Sequence, residues 1–112
     1  MHELGITRNI VAIVEEAAKG RRVRRVTLEV GALSGVMSEA IAFCFDVVTA
    51  GTALEGAKLA ICEIEGRARC DSCGAEFATD TLFALCPCGS VRLTRLSGEE
   101  LNVKSIELME AA

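Results

Sequence analysis

Four cysteines fall within nineteen residues, as Cys70-Asp71-Ser72-Cys73 and Cys86-Pro87-Cys88, with twelve residues between the pairs. Thiolates at that spacing can converge on one ion. Four of them suit tetrahedral zinc, which has no redox role and closes its own shell. Gly74 and Gly89 follow the two pairs, where the chain must turn tightly around sulfur. The first pair is an ordinary C-x2-C knuckle. The second, C-P-C-G, is one residue shorter than the common C-P-x-C-G, which changes its bite and its amide-to-sulfur bonds. The competing readings are iron in a rubredoxin-like site and a redox dithiol. Iron sites of that kind sit in an aromatic-rich shell, and residues 66–100 offer only Phe77 and Phe83. The other two cysteines, Cys44 and Cys62, stand alone in apolar stretches and are expected to pack as small buried hydrophobes.

The second chemical feature is Met1-His2-Glu3, which holds the only histidine. An α-amine, the adjacent backbone amides and an imidazole at position 2 can close chelate rings around one cation. Nitrogen donors in a plane suit nickel(II) or copper(II), and Glu3 adds a hard oxygen donor. Initiator methionine is generally retained before a large second residue, so the histidine is expected to stay at position 2. A single histidine there excludes an internal histidine-based triad or a His-rich metal site. No nucleophile–base pair, phosphate loop or open catalytic zinc site is visible, so the chain is not expected to be an enzyme.

These groups must be held by a chain of 112 residues, enough for one domain, or a small domain plus a module that cannot fold alone. Helical period places Ile6, Ile10, Ile13, Val14 and Ala17 on one face of residues 6–19, with Gly20 as the stop. Val26-Thr27-Leu28-Glu29-Val30 alternates as a strand. Ser38 is placed to cap a second helix carrying Ile41, Cys44, Phe45 and Val48, closed by Gly51. Residues 59–64 read as a second strand and residues 104–109 as a third, with Met109 packed in the sheet. The fold class is α+β: two helices packed on a small three-stranded sheet, with an inserted zinc-ribbon-like module. The boundaries follow as residues 1–65 plus 101–112 for the α+β domain and 66–100 for the module. If the second and third strands pair antiparallel, the module projects as the tip of their hairpin. Residues 66–100 are too few to bury a useful core, so a metal or disulfides must hold them.

The formal charge of −4 argues against a nucleic-acid partner. The basic run Lys19-Gly20-Arg21-Arg22-Val23-Arg24-Arg25 reads as a solvated helix end, with an acidic docking partner as the alternative. No apolar run reaches the ~18 residues of a membrane span, and no signal-peptide core is visible. A cytoplasmic location, where thiols stay reduced, is the expectation.

The chain resembles the HypA/HybF nickel metallochaperones of nickel–iron hydrogenase maturation, with relatives serving urease. The resemblance spans Met1-His2-Glu3-Leu4, the stretch from Leu28 through Gly31 to Val36, and Phe43-Cys44-Phe45. It continues through Thr52 to Ala57, both cysteine pairs, and Leu101 to Glu107. It implies nickel bound through Met1, His2 and Glu3, and structural zinc on Cys70, Cys73, Cys86 and Cys88. The implied partners are a maturation GTPase, HypB, and the hydrogenase large subunit that receives the metal, with the chain a monomer or weak homodimer. The shortened second knuckle departs from the family pattern. The competing function is a zinc-ribbon protein- or nucleic-acid-binding module without nickel transfer, which would have no use for a chelating terminus. A small redox protein using its cysteines directly is a third.

Overall fold

A computed structural model describes residues 2–110. Met1 lies outside the described residues, and with it the amine of the expected chelate. Helix α1 spans His2–Ala18, starting four residues earlier than its apolar period suggests. It buries Thr7, Ile10, Val11, Val14 and Ala18, whereas Ile13 is 57% exposed. The buried stripe includes a polar residue that periodicity of apolar types passes over. The Thr7 hydroxyl donates to the Glu3 carbonyl at 2.7 Å, so its burial leaves no unmet hydrogen bond. Lys19 and Gly20, both at positive φ, end the helix.

Strand β1 (Val23–Gly31) follows, then α2 (Ser38–Thr49) and β2 (Lys58–Ile64). β1 pairs with β2 in parallel, from Arg25↔Lys58 to Gly31↔Ile64, with α2 as the crossover that a parallel pair requires. The last strand of the chain, β6 (Leu101–Leu108), pairs antiparallel with the other edge of β1. The order is β2-β1-β6, so the two outer strands do not form a hairpin. β1 takes the centre because Val23, Val26, Leu28 and Val30 are all buried under the helices, while the flanking strands are half-buried. β6 slips register opposite Thr27 and Leu28, leaving Lys104 unpaired. This bulge resets the alternation, so that Val103 and Leu101 join Ile106 and Leu108 against the core. Met109 falls beyond the strand and is exposed, not packed in the sheet. The core centres on Phe45, Leu28, Ile41, Leu54 and Val14. Cys44 and Cys62 are only half-buried and stand outside it.

Between β2 and β6 lies a second sheet: β3 (Arg67–Cys70), β4 (Glu76–Ala78) and β5 (Leu93–Ser97), antiparallel in the order β4-β3-β5. The two sheets meet at a glycine-lined junction. Gly31 N donates to the Glu100 carbonyl at 2.7 Å and Leu33 N to the Gly98 carbonyl at 2.6 Å. A Cβ on Gly31 would run into the backbone of Gly98, and one on Gly66 into the Thr79 carbonyl and Leu33. The molecule measures 59 × 27 × 17 Å, with a radius of gyration of 17.4 Å, against about 13 Å for a compact chain of this length.

Candidate metal centres

The two knuckles sit on loops at one end of the second sheet. The first turns from β3 towards β4, and the second precedes β5. Cys70 N donates to the Ala75 carbonyl and Gly74 N to the Cys70 carbonyl, closing the first turn. Cys86 N donates to the Ser90 carbonyl and Gly89 N to the Cys86 carbonyl, closing the second. Gly74 and Gly89 both take positive φ, as turns around sulfur require. All four sulfurs lie within 4.8 Å of one another. Cys70 Sγ is 3.7 Å from Cys88 Sγ, and Cys73 Sγ is 3.5 Å from Cys86 Sγ. A tetrahedron with zinc–sulfur bonds of about 2.3 Å has edges of about 3.8 Å, so the donor set fits such an ion. The shortened second knuckle therefore still brings both of its sulfurs to the cluster.

The four sulfurs are not equivalent. Cys70 and Cys86 are buried, while Cys73 and Cys88 face solvent. The Cys73 amide, and behind it that of Ser72, point at Cys70 and lower its pKa to about 6 despite burial. Cys86 receives the Cys88 amide, but burial and the sulfurs of Cys88, Cys73 and Cys70 outweigh that donation and push it up to about 12. Two serines brace the site. Ser72 Oγ and Ser90 Oγ lie 2.9 Å apart and link the knuckles, and Thr94 Oγ1 donates to Asp71 Oδ1 at 2.7 Å. The sequence carries no signal for the serine bridge beyond a serine inside the first cysteine pair and another two residues after the second.

At the other centre, His2 and Glu3 occupy the first turn of α1. The His2 imidazole is exposed, with Nε2 3.8 Å from Glu3 Oε2. Glu3 is buried, and its carboxylate lies 3.5 Å from the amide of Met37 at the start of α2. The two helices thus begin side by side, at the end of β1 that leads to the module. Its own backbone amide, followed by other donors that include the Met37 amide, and the nearby His2 hold the Glu3 carboxyl below its ordinary range, against the opposing effect of burial. Ser38 does not cap α2. Its hydroxyl donates to Glu63 Oε1 instead, and Met37 takes the cap position. The basic run lies mostly beyond the helix end. Arg21 and Arg22 donate to the carbonyls of Met109 and Glu55, and Arg25 pairs with Glu107 on β6.

Fold and site together define a metal-binding protein of two sheets: an α+β domain, with a four-cysteine module inserted ahead of its last strand. The profile of the HypA family, described as hydrogenase/urease nickel incorporation and metallochaperone, matches residues 1–108. The chain belongs to this family. The hydrogenase maturation factor HypA of Trichormus variabilis is 59% identical over 110 residues, which are 98% of this chain and 97% of that protein. That of Geobacter sulfurreducens is 50% identical over 109 residues, 96% and 99% of the two chains. In fold, the chain is similar to the solution structure of the nickel metallochaperone HypA from Helicobacter pylori. The TM-score is 0.69 at 22% identity, covering 99% of this chain and 100% of that one. A second HypA solution structure gives 0.70 at 24% identity, with 97% of each chain covered.

Proposed function

We propose that the chain carries nickel(II) on its N-terminus and delivers it into the active site of nickel–iron hydrogenase, with urease as a second recipient. The observation that carries this reading is the family match over residues 1–108, with hydrogenase maturation factors at 50–59% identity among the relatives. The donors are the Met1 amine, backbone amide nitrogen, the His2 imidazole and the Glu3 carboxylate. The geometry supports this set in two ways. First-turn amides of a helix have no intrahelical acceptor, so coordination there breaks no helical hydrogen bond. The positive end of the helix dipole opposes a cation, and the ionised Glu3 offsets it. The balance suits an ion that must be released. Zinc on Cys70, Cys73, Cys86 and Cys88 is structural in this reading, holding residues 66–100 in place. Nickel belongs to residues 1–65 with 101–112. The protein is a carrier and not an enzyme. It works in the cytoplasm, as a monomer or weak homodimer, with the GTPase HypB and the hydrogenase large subunit as partners.

The test is metal analysis of untagged protein with a nickel titration followed by absorption spectroscopy. One zinc and one added planar nickel are expected. Replacing His2 by alanine is expected to abolish tight nickel binding with zinc content and fold intact. Unchanged nickel affinity in that variant would sink the assignment of the site. Affinity is also expected to fall at lower pH, as protons compete with the metal for its nitrogen donors.

A further inference from the structure

Helix α2 presents two apolar faces. One, through Ile41, Phe45 and Val48, packs on the core. The other, through Ala40, Phe43, Cys44 and Val47, repeats at the same helical spacing but meets no second layer. Phe43 is 73% exposed and Val47 59%. Where this face passes the start of α1 it borders an open cavity of about 370 Å³, completed by Leu4 and Glu3. Its walls are aliphatic, aromatic and thiol groups, with the Glu3 carboxylate at one margin. An exposed aromatic beside an apolar cavity of this size is a site for a bulky side chain from outside.

The charges around it select the occupant. α2 contains no basic residue. Glu39 and Asp46 are both exposed, one turn before and one turn after Phe43, and so flank it on the same face. The Glu3 carboxylate stands at the cavity margin. Among the described residues, the arginine nearest this face on α1 is Arg8, one turn on from Leu4, and the acidic character of the outer rim comes from Glu39 and Asp46. A second copy of the chain meeting this face about a twofold axis would set Glu39 and Asp46 against their own equivalents. An anionic lipid surface would be repelled likewise.

We propose that the groove between α2 and the start of α1 docks a basic amphipathic helix of a partner protein. One large apolar side chain of that helix fills the cavity, its neighbours cover Phe43 and Val47, and its flanking lysines or arginines face Glu39 and Asp46. This goes beyond nickel carriage and does not depend on it, although docking here would bring the partner against Glu3.

The test uses the full-length protein with its zinc and a synthetic helical peptide of about four turns. Leucines lie on one face of the peptide and lysines on its flanks. Amide shifts are followed by NMR. Perturbations centred on Leu4, Phe43, Cys44 and Val47 are expected, with at least a tenfold loss of affinity for Phe43→Asp. A tenfold loss is also expected for a peptide with glutamates in place of its lysines, and a weaker one for Glu39→Gln/Asp46→Asn. Phe43→Asp is expected to keep the amide spectrum of the core and its nickel titration, so failure of the groove and failure of the nickel site are told apart. The proposal is overturned if the peptide shifts resonances elsewhere, or if the acidic peptide binds as well as the basic one. It is equally overturned if Phe43→Asp abolishes self-association of the chain, or binding to phosphatidylglycerol vesicles, while leaving peptide binding unchanged.

Discussion

Glu3 stands at the meeting point of both helix starts, and its ionisation is coupled to folding. Its carboxyl is held below the value of 4.5 that it has when free. A carboxyl depressed in the folded state adds stability above its unfolded pKa and loses it as pH falls through the folded value. Glu3→Gln is therefore expected to lower the urea midpoint at neutral pH, with the gap to wild type narrowing as pH drops below 4.5. A constant gap would mean that the residue acts by shape alone. The cysteines carry a sharper contrast. Between the lowered Cys70, at about 6, and the raised Cys86, at about 12, the metal-free site at neutral pH holds a thiolate beside a protonated thiol. Loading zinc must displace the Cys86 proton. Calorimetry in buffers of different ionisation enthalpy is expected to show at least that proton released, and the affinity to rise about tenfold per pH unit on its account. Spacing alone makes the cysteine set legible, because ligand pairs in a knuckle are local. It says nothing of which sulfur is buried, since burial is decided by how the two loops face each other.

Among the elements, β1 carries the most. It is the centre of its sheet, the partner of β2 in mid-chain and of β6 near the end, and the strand that runs into the junction with the module. At its end, Gly31 lies against Gly98 with no room for a methyl group. Gly31→Ala is expected to cost roughly 3 kcal/mol or more, since backbone, not a flexible side chain, is in the way. Chemical denaturation measures it, and a loss below 1 kcal/mol would show that the junction yields. Both helices and the three strands of the main sheet are readable from period 3.6 or period 2 within a few residues, because that signal is local. Strand order is not. Alternation reports which face of a strand is buried, but not its neighbour, so a hairpin of β2 with β6 stays open as one possibility in the sequence, and in the structure β1 lies between them. The bulge at Lys104 is hidden for the same reason: it appears only once β6 is set against β1. The short strands β3, β4 and β5 carry no period long enough to read.

At the scale of the whole molecule, the 59 Å length reflects two sheets joined end to end and not stacked. The core cluster draws only on the α+β part, and the buried residues of the module are few, chiefly Ala68, Cys70 and Cys86. The α+β core is thus expected to survive removal of zinc, while amide protection in β3–β5 is lost. Hydrogen exchange with and without a chelator tests this, and simultaneous loss from β1 would show one cooperative unit.

The position of the module between β2 and β6 also sets the order in which the chain can assemble. β6 must return to β1 across everything between Ile64 and Leu101. Once β3 and β5 have paired, with Arg67 opposite Ser97, that long ring shrinks to the few residues at its neck. Shortening a ring several-fold lowers the entropy cost of closing it by about 1.5 kcal/mol. A zinc-loaded module acts as a clasp fastened before the last strand comes home. Refolding of the main sheet without zinc is expected to be slower by about tenfold, although the metal site belongs to the other sheet.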